Sequence, residues 1–222
     1  MNINRALVLI TSAGSSLGST LAIHFARLGA KVILCDTDQH KLIETWQRCQ
    51  SVVDDVHYYP LTDHSLASID QLFTHIETMH QTAPDVLINY WPTTPFPSVI
   101  DDRPTEQFIQ QMVTMAASLF TFGQACAERM RQHQTKGVIV NMVSYSTLEE
   151  RSGIENANSM VSGFTQSWAK ELTPFNIRVG GVIPVISERG NPEHWAEMQD
   201  ELIRNTEYIV ANEYFSGRVM SA

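Results

Sequence analysis

Residues Ala6-Leu-Val-Leu-Ile-Thr-Ser-Ala-Gly-Ser-Ser-Leu-Gly18, followed by an amphipathic segment and then Lys31-Val-Ile-Leu-Cys-Asp36, decide the fold. The apolar run from Ala6 to Ile10 reads as a strand, the small residues from Thr11 to Gly18 as a turn, and the next segment as a helix. A second apolar strand then closes on an acid, and together these make half of a dinucleotide-binding fold. A helix that begins directly over such a turn aims unpaired N–H groups and the positive end of its dipole at whatever sits there, which suits a pyrophosphate. Asp36 follows Gly18 by eighteen residues and falls at the carboxyl end of the second strand. A carboxylate there accepts hydrogen bonds from both hydroxyls of an adenosine ribose and repels a 2′-phosphate, so the pattern points to NAD over NADP. A glycine-containing turn alone is a weak signal that any doubly wound protein can show; here the turn, the helix and the acid occur together.

Working outward, apolar strand-like runs recur at Val52 to Tyr59, Asp85 to Asn89, Gly137 to Val143 and Ile177 to Ile183, with a weaker one at Gly217 to Met220. Leu66, Ile69, Leu72, Phe73, Ile76 and Met79 repeat at helical spacing in one gap, as do Phe108, Met112, Met115, Leu119 and Phe122 in the next. Strands thus alternate with helices, and right-handed crossovers then give a Rossmann-type, doubly wound α/β fold, a parallel sheet of six to seven strands with helices on both faces. The length, 222 residues, fits a single domain spanning the chain, with no linker or internal repeat. Two punctuated stretches, from Trp91 to Pro97 and from Ser187 to Pro192, follow the fourth and sixth strands at the edge where open sheets bind ligands.

Composition narrows the function. The excess of 24 Asp and Glu over 15 Lys and Arg leaves no basic stripe to neutralise a phosphate backbone, so nucleic acid is not an expected partner. Cys35, Cys49 and Cys126 are widely spaced with no Cys-x-x-Cys pair, which fits a reducing cytoplasm. No apolar run reaches the length of a signal-peptide core or a membrane span, so a cytoplasmic protein without membrane attachment is expected. The eight histidines show no ligand spacing, so no metal is expected.

The order of these motifs resembles the short-chain dehydrogenase/reductase family from Ala6 to about Met220. Thr11 to Gly18 is similar to the family's Thr-Gly-x-x-x-Gly-x-Gly, and Asp85-Val-Leu-Ile-Asn89 to the strand that introduces Asn-Asn-Ala-Gly. Gly137-Val-Ile-Val-Asn-Met-Val-Ser144 is similar to the strand ending in the catalytic serine. Gly163-Phe-Thr-Gln-Ser-Trp-Ala-Lys-Glu-Leu172 and Ile177-Arg-Val-Gly-Gly-Val-Ile-Pro184 resemble the helix and strand that follow the catalytic Tyr-x-x-x-Lys. The resemblance implies NAD contacts from Thr11, Ser12, Ser16, Leu17, Gly18, Asp36 and Asn89. It also implies self-association as a dimer or tetramer through the helices around Phe108 to Arg131 and Asn156 to Leu172.

The functional positions depart from the family pattern. Ser12 and Ser16 stand in two of the three glycine places, where a β-carbon narrows the approach to a phosphate and disfavours positive φ, so NAD binding is expected to be weak or absent. Tyr90, Trp91 and Pro92 replace the rest of Asn-Asn-Ala-Gly, either as an aromatic shelf for a different ligand or as an aromatic cluster under the proline-rich loop. Counting back from Gly163 puts the family tyrosine at Ile154 and its lysine at Asn158, and Met115 falls at the family's asparagine. An aliphatic side chain has no proton to give, and an amide has no charge with which to lower a phenol's pKa. Ser144 is left without its partners, and a displaced acid at the adjacent Tyr145 is the remaining route to catalysis.

Three functions stay open at this point. One is a non-catalytic, nucleotide-binding or regulatory subunit, with a protein partner. Another is an NAD-dependent oxidoreductase acting through Ser144 and Tyr145. The last is a structural partner with no ligand.

Overall fold

The computed structural model describes residues 1–53, 55–97, 102, 105–147, 149–185 and 192–222. Apolar runs become strands and amphipathic gaps become helices, in the order β1 (Leu7–Ile10), α1 (Ser16–Arg27), β2 (Lys31–Asp36), α2 (Gln39–Gln50), β3 (Val56–Pro60), α3 (Leu66–His80), β4 (Val86–Pro92), α4 (Thr105–Gln132), β5 (Val138–Ser144), α5 (Ile154–Leu172), β6 (Arg178–Ile183), α6 (Pro192–Ala211) and β7 (Val219–Ser221). Among the described residues all seven strands are parallel and lie in the order β3-β2-β1-β4-β5-β6-β7. The chain builds outward to β3, then returns to place β4 beside β1, so the order reverses between β1 and β4. At such a reversal the connections leave in opposite directions and open a crevice at the carboxyl ends of the strands.

Alternate strand residues face opposite layers, as a period of two requires. Val8, Ile10, Val32, Leu34, Val138 and Val140 pack into one apolar cluster with Leu21 and Phe25 of α1 and Leu202 of α6. Leu7, Leu9, Ile33, Cys35 and Ile139 join another with Ile69 and Phe73 of α3 and Cys126 of α4. Both faces of the sheet are therefore covered, and Cys35 is the small core residue that its apolar strand suggests.

Three strand boundaries differ from the sequence expectation by two residues or more. The run read from Val52 pairs only from Val56, because the N–H groups of Val52 and Val53 both donate to Cys49 O and finish α2 instead. β4 continues through Tyr90 and Trp91 to Pro92, where a loop was expected, with Tyr90, Trp91 and Pro92 opposite Met142, Val143 and Ser144 of β5. β1 ends opposite Ile88, and past it the Thr11 hydroxyl holds β4 at Tyr90, so Pro92 can lack an N–H there without breaking a ladder. β7 begins at Val219, after Gly217 has turned the chain at φ 70°. Of the stretch expected from Ser187 to Pro192, Pro192 opens α6 and the rest lies outside the described residues.

Candidate functional site at the carboxyl edge of the sheet

The turn between β1 and α1 keeps a glycine-type backbone at Ser12 despite its serines. Ser12 holds φ 50°, in the left-handed region that favours glycine. A Cβ on Gly18 would fall 2.2 Å from Ser12 O, so only glycine lets the helix start this close to the turn. Ser15 caps α1, its Oγ accepting from Gly18 N at 3.1 Å and donating to Ser12 O at 2.7 Å. Ser16 and Leu17 stand in the first turn of α1, whose N–H groups have no acceptor within the helix. Thr11 works sideways rather than upward: its hydroxyl accepts from Tyr90 N at 2.8 Å and donates to Tyr90 O at 2.9 Å, fastening β1 to β4.

Asp36 ends β2 beside this turn. One carboxylate oxygen accepts from Gly14 N at 2.9 Å and the other from Asp38 N at 3.0 Å. A carboxylate offers about four lone-pair sites, so each oxygen can still accept a further bond. Gly14 occupies a variable place in the motif, yet a Cβ there would lie 2.9 Å from Lys41 Cβ and 3.1 Å from Asp36 Oδ2. Its lack of a side chain lets Asp36 close on the turn. On the rim, the rings of His64 and Trp91 meet edge to face at 5.3 Å. Burial holds the His64 imidazole below its ordinary pKa, with Asp36 and Asp63 pulling the other way.

On the β4–β5 side the edge is filled. The Tyr90 hydroxyl lies 2.7 Å from Ser144 Oγ, with Tyr90 2% and Ser144 3% exposed. Burial pushes the Tyr90 phenol up to about 12, an effect that hydrogen bonds to the Ser144 and Ser15 hydroxyls reduce and the Glu150 and Asp36 charges reinforce. The Ser144 carbonyl accepts from both the N–H and the hydroxyl of Thr93, at 3.0 and 2.9 Å. Asn89 does not face the crevice: its amide donates to Leu119 O at 2.8 Å and to Asn141 Oδ1 at 3.0 Å, tying β4 to α4 and β5. That amide, expected at an NAD contact, is bonded within the core.

The expected catalytic positions are equally occupied. Ile154 is the first residue of α5 and fully buried, in one cluster with Tyr90, Met115 and Tyr145. The Asn158 amide donates to Pro184 O at 3.3 Å, while its Oδ1 is buried without a hydrogen bond among the described residues. Tyr145 follows Ser144 in sequence, but its hydroxyl donates to Val185 O at 3.0 Å and its ring meets Trp195 edge to face at 5.3 Å. Sequence reasoning missed the Tyr90–Ser144 pair, the Thr93 clasp and the Asn89–Asn141 pair. Of these only Asn89 and Asn141 face each other in register, whereas Tyr90 stands opposite Met142 and Pro92 opposite Ser144, so the other two contacts left no signal in the linear sequence.

With this geometry in place, comparison with known proteins assigns the class. The family model described as short chain dehydrogenase matches residues 6–199, and the chain belongs to that family. Among curated relatives, an uncharacterized oxidoreductase of Thermotoga maritima is 29% identical over 83% of this chain and 72% of its own length. A D-xylose 1-dehydrogenase of Caulobacter vibrioides is 29% identical over 96% of this chain and 82% of its own. Among solved structures, a short chain dehydrogenase from Mycobacterium smegmatis superposes with a TM-score of 0.83 at 24% identity, covering 99% of this chain and 92% of that one. A 3-ketoacyl-(acyl-carrier-protein) reductase from Brucella melitensis, complexed with NADH, gives 0.81 at 19%, covering 99% and 97%. These two likenesses bear on the fold.

Proposed function

We propose that this chain is a non-catalytic member of the family that holds a nucleotide as a binding or regulatory subunit. The observation that carries this is Ile154, a fully buried aliphatic residue at the start of α5, where the spacing from Gly163 places the family's phenol. Asn158 one turn later brings no positive charge, and its amide is held by Pro184 O. Without an acid to protonate the substrate oxygen and a cation to support it, a carbonyl is not reduced at an enzymatic rate. Tyr145, the alternative acid in an active NAD-dependent oxidoreductase, keeps its hydroxyl on Val185 O, so nothing favours that second reading.

The nucleotide is supported by residues that still fit one. Gly18 lets α1 start close against the turn, the first turn of α1 offers N–H groups, and Asp36 retains acceptor sites beside them. Ser12, Ser16 and Leu17 complete the seat for a phosphate, and Thr11 fixes the strand beneath it. When bound, NAD would supply only recognition here, its ribose hydroxyls on Asp36 and its phosphates at α1.

Self-association as a dimer or tetramer is part of the same proposal. Phe120 of α4 is exposed, its ring 6.4 and 6.1 Å from the stacked rings of Phe164 and Trp168 of α5. The three cysteines are unpaired and buried, as suits a cytoplasmic protein, and no helix among the described residues is long and apolar enough to cross a membrane. Calorimetric titration tests the nucleotide. NAD is expected to bind weakly and NADP more weakly, with Asp36→Ala abolishing the difference; tighter binding of NADP would contradict the assignment of Asp36.

A further inference from the structure

We propose that Tyr90 fills the half of the crevice that would hold the second nucleoside, so that the site takes a nucleoside 5′-diphosphate with free ribose hydroxyls rather than a whole dinucleotide. This rests on the nucleotide reading above and narrows it. In a doubly wound sheet a dinucleotide straddles the point of reversal, its pyrophosphate at the first helix and one nucleoside over each half of the sheet. One half carries Asp36 at the end of β2, with unused lone pairs next to the Gly18 turn.

The other half is closed by a side chain. Tyr90 follows the last β4 residue that pairs with β1, opposite Met142 of β5. Its ring belongs to the cluster on the α1 face, with Ile10 and Leu17. From there its hydroxyl reaches Ser144 Oγ, 2.7 Å away at the end of β5, so the ring bridges the strip from the reversal point to β5. A phenol ring is comparable in bulk to a ribose. Admitting a second ribose would mean breaking the Tyr90–Ser144 bond and driving a buried aromatic ring into water, and both changes oppose it. A dinucleotide can then bind only with its second nucleoside left in solvent, where it adds nothing to affinity.

The test is calorimetric titration of the full chain with ADP and with NAD. The two affinities are expected to agree within about three-fold, and 2′-phosphorylated ADP to bind at least about ten-fold more weakly. In Tyr90→Ala, if folded by circular dichroism, NAD should gain at least about ten-fold over ADP, whereas Tyr90→Phe, which keeps the ring, should leave the ratio unchanged. NAD binding the native protein about ten-fold more tightly than ADP would overturn the closed half while leaving the nucleotide site standing. That comparison needs no variant to fold. Absence of binding by either ligand to the native chain would instead refute the nucleotide site itself, and this proposal with it.

Discussion

The Tyr90 hydroxyl and Ser144 Oγ lie 2.7 Å apart, a buried hydroxyl pair that joins β4 to β5 at the carboxyl edge of the sheet. Tyr90→Phe removes one partner and leaves the Ser144 hydroxyl in an apolar surrounding, which should cost about 1–2 kcal/mol of unfolding free energy. In a Ser144→Ala background the same change should cost less, giving a coupling of at least about 0.5 kcal/mol in a double-mutant cycle measured by urea denaturation. Additive losses would mean that the two hydroxyls do not depend on one another.

Serine at position 12 holds a backbone conformation suited to glycine, with φ 50°. Ser12→Gly should therefore raise stability by about 0.5–1 kcal/mol, read as a higher urea midpoint with an unchanged slope. Gly18→Ala should act in the opposite sense, since its Cβ would sit 2.2 Å from Ser12 O, and should lower the midpoint by more than the serine change raises it.

Alkaline sensitivity follows from the buried thiols. Burial raises Cys35 and Cys126 far above the ordinary value near 9 and Cys49 to about 11. The folded chain thus keeps protons that the unfolded chain releases above pH 9, so stability is fully present below that pH and falls as pH rises. Each thiol kept protonated contributes a slope of up to about 1.4 kcal/mol per pH unit. Cys49, with the smaller rise, contributes only up to about pH 11, and Tyr90, raised to about 12, adds a further loss beyond pH 10. Urea midpoints from pH 8 to 11 should drop steeply after pH 9, and Tyr90→Phe should flatten only the last part of that fall. A flat profile to pH 10 would contradict the burial of the thiols.

Phe120 is 47% exposed and its ring meets Trp168 at 6.1 Å. If the α4–α5 face pairs two copies, Phe120→Arg should shift sedimentation toward the monomer at micromolar concentration without changing the far-ultraviolet circular dichroism. A native chain that sediments as a monomer at every concentration would refute self-association.

The βαβ unit from Ala6 to Asp36 was legible because its signals are local: an apolar run, a small-residue turn, helical periodicity and a terminal acid. The course of β4 was not, because Tyr90-Trp91-Pro92 reads as loop until β1 is known to end opposite Ile88. The site divides in the same way. Gly18 and Asp36 declare themselves by spacing, whereas the Asn89 contact to Leu119 O and the Tyr90 contact to Ser144 link residues 30 and 54 positions apart. Such pairs depend on strand register, which no window of sequence contains. The Tyr145 hydroxyl shows the same limit, since adjacency to Ser144 says nothing about a bond to Val185 O.

The most direct measurement is NADH oxidation by the purified full chain against a panel of short and long ketones and aldehydes, followed at 340 nm. Loss of general acid catalysis alone removes about 10² to 10⁴ in rate, and the absent cation at Asn158 compounds it. Background oxidation is predicted for every substrate, with Tyr145→Phe and Ser144→Ala indistinguishable from the native chain. Turnover at an enzyme-like rate that Tyr145→Phe abolishes would contradict the non-catalytic account and establish a displaced acid in its place.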